Sequence, residues 1–276
     1  MRLEARDLTF GYSARRSVLS NVSIAINSGE MMFVLGANGS GKTTLVECLA
    51  GLRVPHQGDV RLDGRPILRL PLCDRAQAVG IVPQIHEPVF EYTVGEVALM
   101  GRAPQLTMLS RPGRRDWDAV RVALDRVGLL PLIDRPYTQT SGGERQLTLI
   151  ARGLAQGARC LLMDEPAAHL DPRYQHRILS TIDGLAADEY AFVVTSHHPN
   201  NALSYADVVA FLIDGRADYF GSPNRMICEE SLAAAYGMEF DIISSPGVAR
   251  AVVPRAPARN RAECACEDSA QRKENP

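Results

Sequence analysis

The 276-residue sequence lacks long apolar runs, a strong excess of one charge and paired cysteine motifs. Its longest aliphatic stretches, such as residues 208–213, are far shorter than the roughly 18 apolar residues that cross a bilayer, so no membrane span is predicted. Thirty Lys and Arg residues against 32 Asp and Glu residues leave a net charge of −2. That balance excludes a global positive field that would by itself recruit nucleic acid or an anionic membrane.

The N-terminus has charges but no apolar core behind them, so no secretory signal is predicted and a reducing cytoplasm is the expected compartment. The six cysteines show no C-x-x-C spacing and are expected to remain thiols. A weak metal-binding hypothesis stays open for Cys264 and Cys266, which lie close together. After Val253 the sequence has no Ile, Leu, Val, Met or aromatic residue, and residues 247–276 are predicted to form a disordered tail.

Apolar runs alternate with helix-start patterns along much of the chain. Alternating apolar residues over 22–27 predict an antiparallel strand near the N-terminus. Compact apolar runs predict further strands at 31–35, 159–163, 191–195 and 208–213, and helices are expected to begin near Lys42, Pro172 and Pro199. Strands alternating with helices indicate an α/β fold with a mainly parallel sheet covered on both faces.

Residues 86–157 follow helical spacing instead. Thr93 and Glu96 form a capping box, and Leu147, Ile150 and Leu154 belong to one apolar stripe. We therefore predict one domain over residues 1–246, in which a helical subdomain at about 86–157 is inserted into the α/β core.

Residues 36–43 read Gly-Ala-Asn-Gly-Ser-Gly-Lys-Thr and match G-x-x-x-x-G-K-[ST] between a predicted strand and a predicted helix. We name them the phosphate loop, because such a loop turns its backbone N–H groups toward phosphate oxygens. Lys42 is expected to reach the β- and γ-phosphates and Thr43 to offer its hydroxyl to Mg²⁺. The sequence therefore predicts a nucleoside triphosphate site.

Asp164 and Glu165 follow a predicted strand, at the end where parallel sheets bind ligands. Asp164 can hold Mg²⁺ through water, and Glu165 can orient and partly deprotonate the water that attacks the γ-phosphate.

Ser141-Gly142-Gly143 opens another predicted helix, and Ser141 forms a capping box with Glu144. Consecutive glycines weaken a helix by about 1 kcal/mol each relative to Ala, but they let an anion approach bare N–H groups. One chain has no evident way to direct this helix and the phosphate-loop helix at the same phosphate.

Six motifs in this order resemble those of the ATP-binding subunits of ABC transporters, over about residues 1–245. They are the phosphate loop with Thr44, Val82-Pro83-Gln84, the segment from Ser141 to Gln146, the acidic strand from Leu161 to Glu165, His169-Leu170-Asp171, and Thr195-Ser196-His197. The resemblance implies a P-loop NTPase core with an antiparallel N-terminal β subdomain. Residues 92–104 and Tyr236-Gly237-Met238 resemble subunits of importers for ferric siderophores, haem or cobalamin, and of molybdate-type importers.

The resemblance also implies roles for single residues. Tyr12 would stack on adenine, Gln84 would touch Mg²⁺ or the attacking water, and His197 would contact the γ-phosphate and keep Glu165 and the water in line. Glu165, His197, Gln84 and Lys42 form the expected catalytic set. Mg²⁺ would be held by Thr43, Gln84 and Asp164. The remaining expected ATP contacts are Gly36, Asn38, Gly39, Ser40, Gly41, Thr44, Ser141, Gly142, Gly143 and Asp171.

The implied assembly is a head-to-tail dimer with each ATP between the phosphate loop of one copy and Ser141-Gly142-Gly143 of the other. ATP binding would close the dimer and hydrolysis would reset it. Integral membrane permease subunits would dock on the helical subdomain around residues 87–115, and a substrate-binding protein would act indirectly. The expected location is the cytoplasmic face of the inner membrane, held through the permease, with no nucleic acid partner.

The sequence departs from the family pattern at Thr140, where Leu is common, at Glu144, where Gln is frequent, and at His198, where Asp often follows the histidine. Ala167-Ala168 stands where the family usually has residues with hydroxyl groups. Because His198 follows His197 directly, the choice of His197 rests on the alignment of the motifs. Alternatives are an ABC ATPase of another transport system (an exporter or another importer), a soluble ABC ATPase without a transport role, or a P-loop kinase or GTPase. A kinase or GTPase would have no use for Ser141-Gly142-Gly143.

Overall fold

The structure is a computed structural model that describes residues 1–13, 16–84, 91–107, 110–168, 170–245 and 248–255. Its strands, in chain order, are β1 (Arg2–Phe10), β2 (Leu19–Asn27), β3 (Met31–Leu35), β4 (Gln57–Leu62), β5 (Arg65–Pro66), β6 (Val79–Val82), β7 (Cys160–Met163), β8 (Ala191–Ser196), β9 (Val208–Ile213), β10 (Arg216–Gly221), β11 (Phe240–Ser245) and β12 (Val248–Pro254).

The helices are α1 (Lys42–Leu49), α2 (Leu72–Ala78), α3 (Val94–Leu99), α4 (Arg114–Arg126), α5 (Gly142–Ala155), α6 (Pro172–Ala187), α7 (Pro199–Tyr205), α8 (Pro223–Met226) and α9 (Glu229–Tyr236), with short 3-10 helices at Ile67–Arg69, Met100–Gln105, Leu130–Leu132 and Tyr137–Gln139. In the portion of the chain that the structure describes, none of the helices has the length and apolar character needed to traverse a lipid bilayer.

A six-stranded sheet in the order β10-β9-β3-β8-β7-β6 forms the centre. Its neighbouring strands run parallel, except that β10 is antiparallel to β9. A second sheet, β2-β1-β4-β5, is antiparallel throughout. These sheets confirm the predicted α/β fold with an antiparallel N-terminal portion.

The register of the parallel strands aligns their carboxyl ends. Met163 on β7 pairs with Val82 on β6 and with Val194 on β8, and Leu35 on β3 pairs with Ser196 on β8. The residues that follow these four strands therefore meet at one edge of the sheet, which is where ligands of open parallel sheets bind.

Each face of the central sheet packs into a different core. On β3, Met31, Phe33 and Leu35 join the core shared with helices of the 94–155 region, whereas Met32 and Val34 pack toward α1 and the antiparallel sheet. All five side chains are fully buried. A strand covered on both faces is apolar at every position, which explains why its sequence shows a continuous run.

Between β6 and β7 the described chain is helical. The capping box of Thr93 and Glu96 has both of its hydrogen bonds, and the predicted stripe on α5 is buried at Leu147, Ile150 and Leu154. Residues 85–90 and 108–109 lie outside the described residues. The division into a core and an inserted subdomain therefore stays a prediction.

The prediction of a disordered tail from residue 247 is wrong for residues 248–254, which form β12 and pair with β11. Val252 is buried in the main core, and the Asn200 side chain bonds to the Val252 backbone at both its N–H and its C=O. Burial of Val252 and the backbone pairing with β11 order this segment, whereas the polar composition after Val253 predicted disorder. Residues 256–276, including Cys264 and Cys266, lie outside the described residues.

Two C-terminal deletions are expected to differ sharply. Removal of residues 256–276 should leave the melting temperature unchanged, because no described contact is lost. Removal of residues 247–276 also deletes β12; burial of one valine contributes about 1.5 kcal/mol and each hydrogen bond about 1 kcal/mol, so Tm should fall by about 10 °C. Differential scanning calorimetry measures both, and equal melting temperatures for the two deletions would contradict a structural role for β12.

Candidate active site

The phosphate loop joins β3 to α1 at the aligned edge of the sheet. Gly36 has φ of 154°, and a Cβ there would lie 2.5 Å from the Leu212 carbonyl oxygen, so glycine is required by both conformation and space. The first turn of α1 contains no acidic residue, and its N-cap, Gly41, makes no side-chain cap. The N–H groups at this helix start therefore remain available to an anion.

Lys42 carries a buried cation inside the loop. Its Nζ donates to the carbonyl oxygens of Gly36 at 2.9 Å and Ala37 at 3.0 Å, and lies 3.6 Å from Oε1 of Glu165. Burial lowers the pKa of Lys42, and the Glu165 carboxylate opposes that shift. A phosphate oxygen could replace the carbonyls as partner of the cation, since an anionic acceptor attracts the ammonium more strongly than a neutral carbonyl does.

Asp164 lies directly after β7 and joins three segments of the chain. Its Oδ2 accepts from the Thr43 hydroxyl at 2.7 Å, and its Oδ1 accepts from the Thr195 hydroxyl at 2.7 Å. Thr195 is fully buried on β8, and its Oγ1 also accepts from the backbone N–H of Glu165 at 2.9 Å. Thr195 therefore fixes both acidic residues from the neighbouring strand.

Glu165 has an unusual backbone, with φ of 47° in the left-handed region. Such a conformation costs about 1–2 kcal/mol in a residue that is not glycine. It directs a carboxylate whose Oε1 lies near Lys42 and whose Oε2 is 3.0 Å from Nδ1 of His197. The carboxylate is thus placed between a cation and an imidazole, and strain of this kind is concentrated at functional positions.

The geometry distinguishes the two neighbouring histidines. His197 contacts Glu165, whereas His198 provides the N-cap position of α7 and donates its backbone N–H to Oγ of Ser196. The two imidazole rings lie 4.0 Å apart between centroids. Burial, followed by the neighbouring His197 ring, lowers the pKa of His198, with Glu165 opposing. His197 is therefore the histidine that can act with Glu165, and it is also the one that the order of the motifs indicated.

Tyr12 stands at the rim of the same region and is 62% exposed. Its hydroxyl lies 3.1 Å from Oγ1 of Thr44 and donates to Oε2 of Glu47 at 3.4 Å, and the Arg53 guanidinium lies 5.2 Å from its ring centre. An exposed aromatic ring whose hydroxyl is fixed to α1 offers a flat surface on which a base can stack.

These side chains share one cleft of ≈ 590 Å³. It is lined by Tyr12, Val18, Asn38, Gly39, Gly41, Lys42, Thr43, Thr44, Gln84, Asp164, Glu165 and His197. Gly36 and Ser40 belong to the same loop but are not among the lining residues. The structure therefore brings together the predicted catalytic set and most of the predicted nucleotide contacts.

Ser141-Gly142-Gly143 and Asp171 do not line that cleft. Ser141 and Glu144 make both bonds of a capping box at the start of α5, and Asp171 caps α6 through the Tyr174 backbone N–H at 3.0 Å. A Cβ on Gly143 would lie 2.2 Å from the Tyr174 ring. The starts of α5 and α6 pack against each other. His169, shortly before α6, lies outside the described residues.

Residues 19–168 match the family described as ABC transporter, which covers more than half of the chain. The chain belongs to the ABC transporter family. It is an ATP-binding protein and an ATPase of that family, in agreement with the motifs found in the sequence.

Individual ABC transporter proteins resemble the chain over most of its length. It is 38% identical over 238 residues to the hemin import ATP-binding protein HmuV of Pseudomonas fluorescens, covering 84% of this chain and 91% of that protein. It is 33% identical over 235 residues to the molybdate import ATP-binding protein MolC of Haemophilus influenzae, covering 85% and 87%. Among solved structures, a metal-chelate type ABC transporter in an inward-facing conformation matches with a TM-score of 0.81 at 30% identity, covering 92% of this chain and 97% of that chain.

Two residues that contact predicted site residues escaped the sequence analysis as participants. Thr195 served there only to locate His197, yet it bonds to both acidic residues. Tyr174 packs on Gly143. A Thr two positions before the histidine was the only sequence pattern that could have indicated the first of these contacts.

Thr195→Val is expected to reduce the ATPase rate at least tenfold. Valine has a similar shape but cannot bond to Asp164 or to the Glu165 N–H, and a buried group left without a partner costs about 1–3 kcal/mol. Steady-state phosphate release and a thermal melt measure the two effects. Thr195→Ser keeps the hydroxyl and is the matched control, so a Thr195→Val variant as active as Thr195→Ser would contradict the role of the hydrogen bonds.

Proposed function

We propose that this chain is the ATP-hydrolysing subunit of an ABC importer that takes up a metal chelate (ferric siderophore, haem or cobalamin) or a related oxyanion. The observation that carries the mechanism is the Glu165 carboxylate, held between Lys42 and His197 in the phosphate-loop cleft. The substrate class is supported by relatives named for hemin and molybdate import and by a metal-chelate type neighbour.

In the proposed mechanism Lys42 exchanges its two carbonyl partners for phosphate oxygens of ATP. The Glu165 carboxylate accepts a proton from the attacking water, and His197 orients that carboxylate through Nδ1. Departure of the ammonium of Lys42 toward the phosphates would leave Oε1 of Glu165 free to bind the water. The exposed ring of Tyr12 would stack on adenine.

The residues present fit Mg²⁺. Hydroxyl and carboxylate oxygens are preferred by this hard cation, and those of Thr43 and Asp164 already meet at 2.7 Å in the cleft, which Gln84 also lines. When bound, Mg²⁺ would offset negative charge on the phosphates. Thr195 would keep the Asp164 carboxylate aimed at the ion.

Hydrolysis is proposed to require two copies arranged head to tail. Support comes from the start of α5, which has bare glycine N–H groups yet lies outside the cleft of its own chain. A second copy could present that helix start to the γ-phosphate, where its positive dipole end is favourable. Closure on ATP and opening after hydrolysis would move the helices at 94–155 and, with them, membrane permease subunits docked there.

This assembly would place the chain on the cytoplasmic face of the inner membrane, held through its permease, with a substrate-binding protein acting from the other side. The test is co-expression with the permease, copurification, and reconstitution in proteoliposomes with the binding protein. We expect the substrate-loaded binding protein to stimulate the ATPase rate. We also expect the substrate to cross the membrane away from the side that holds the binding protein. Transport in the opposite direction would identify an exporter, and absence of any permease complex would favour a soluble ABC ATPase.

A further inference from the structure

The Arg53 guanidinium lies over the ring of Tyr12, the exposed aromatic side chain at the rim of the ATPase cleft. Its central carbon is 5.2 Å from the ring centre, within the distance at which a cation is attracted to an aromatic face. The ring is 62% exposed, so the surrounding core does little to fix its orientation. A cation on such a ring is a contact that can hold it.

Glu47 on α1 holds the cation in place. Nε of Arg53 donates to Oε2 of Glu47 at 2.9 Å, and Nη2 of Arg53 donates to Oε1 at 3.4 Å. The same Oε2 accepts from the Tyr12 hydroxyl at 3.4 Å. One carboxylate therefore fixes both the guanidinium and the phenol of the ring beneath it.

The backbone segment that carries Arg53 is anchored at both ends. Before it, the N–H of Leu52 donates to the carbonyl oxygen of Glu47 in α1 at 2.9 Å. After it, the N–H of His56 donates to the carbonyl oxygen of Thr9 in β1 at 2.8 Å. The position of the guanidinium thus follows from the fold and needs no bound nucleotide.

The contact with Arg53 leaves the ring accessible to a ligand. Tyr12 lines the phosphate-loop cleft of ≈ 590 Å³ and also a neighbouring cleft of ≈ 530 Å³, whereas Arg53 lines neither of them. Phe10 meets the Tyr12 ring at an interplanar angle of 85°, with 5.2 Å between ring centres. The ring therefore has a cation and a second aromatic ring as neighbours and is still presented to both clefts.

We propose that Arg53 is a positioning residue for nucleotide binding: held by Glu47, its guanidinium keeps the Tyr12 ring in the orientation on which the adenine base stacks. The inference rests on the proposed function, because it assumes that Tyr12 stacks on adenine. A ring that is fixed before binding loses less conformational freedom when the base arrives, and this raises affinity. Because Arg53 lies outside the cleft that holds Lys42 and Glu165, its effect is on affinity and not on the chemical step.

Arg53→Gln tests the proposal, because it removes the cation and the planar guanidinium from an exposed site. We expect the Kd for MgADP, measured by calorimetry, and the KM for ATP to rise about two- to fivefold, with kcat within about twofold of wild type. Tm should stay within about 2 °C. Arg61→Gln is the matched control: Arg61 is similarly exposed and pairs with Asp59 at 3.0 Å, but among the described residues it lies over no aromatic ring. Its Kd should equal that of wild type.

A double-mutant cycle with Tyr12→Leu distinguishes action through the ring from a general effect of charge. In the Tyr12→Leu background Arg53→Gln should cause no further loss of affinity, because the ring on which it acts is gone. An equal loss in that background would overturn the inference and identify a long-range attraction between Arg53 and the phosphates. An unchanged Kd in Arg53→Gln alone, or a fall in kcat without a change in Kd, would overturn it as well.

Tyr12→Leu alone tests the assumption taken from the proposed function. We expect it to weaken MgADP binding, because leucine offers the base no aromatic face. If it bound MgADP as tightly as wild type, the stacking role of Tyr12 would be wrong. A weakened Tyr12→Leu together with an unaffected Arg53→Gln would instead overturn only the role of Arg53.

Discussion

Glu165→Gln is expected to slow ATP hydrolysis by at least about 100-fold while nucleotide binding is retained. Glutamine fits the same space and can still accept from His197, but it cannot take a proton from water. It also removes the negative charge beside Lys42, so the ammonium is freer to bind phosphate. Phosphate release under saturating ATP measures the rate, and calorimetry with MgADP measures the binding.

If the proposed head-to-tail dimer closes on ATP, the same variant should accumulate that dimer with ATP on a sizing column, because hydrolysis would not reopen it. Glu189→Gln is a matched control: Glu189 also has a positive φ, at 67°, but it is exposed at the end of α6, away from the cleft. Near-normal turnover by Glu165→Gln would refute its role as base. A monomer that hydrolyses ATP at full rate would refute the head-to-tail arrangement.

Lys42→Ala is expected to weaken MgADP and MgATP binding by about 10- to 100-fold. A hydrogen bond to a charged group contributes about 1.5–3 kcal/mol, and each 1.4 kcal/mol is a factor of ten. The substitution also leaves Glu165 without its nearest cation. Titration calorimetry gives the affinity, and ATPase activity should fall below detection.

Lys273→Ala is the natural control for that substitution, because the sequence contains only two lysines, Lys42 and Lys273. It should leave affinity and turnover at wild-type values. If Lys42→Ala bound MgADP as tightly as wild type, the phosphate-loop assignment would be wrong.

Much of the fold and most of the cleft could be predicted because their patterns are local. The run at 31–35, the glycine-rich loop and Lys42 are consecutive, so strand, turn and helix follow from one stretch of sequence. Asp164 and Glu165 were placed at the same edge because the carboxyl ends of parallel strands align. Ser141 was predicted as a helix cap from Glu144, and a helix was predicted to begin near Pro172; the capping box and the helix start are both present.

Other features depend on contacts between distant segments and escaped prediction. Thr195 on β8 bonds to Asp164, which follows the neighbouring strand β7, and it also accepts from the backbone N–H of Glu165, the residue with the left-handed backbone. β12 contains three valines but was assigned to the tail on the composition of the residues after it, and it is ordered by pairing with β11 and by Asn200. Ala234 and Ala235 line a cleft with Ala37 and Asn38 of the phosphate loop because α9 packs on β9.

The enclosed amine of Lys42 makes the chain suited to covalent labelling. An acylating reagent such as an N-hydroxysuccinimide ester reacts with amines, and the only side-chain amines in the sequence are those of Lys42 and Lys273. The Lys42 amine is held by the carbonyl oxygens of Gly36 and Ala37. The tail amine at Lys273 supplies an internal reference. The ratio of acylated peptides, read by mass spectrometry at each stage of a transport cycle, would therefore report how accessible the nucleotide pocket is inside the assembled transporter.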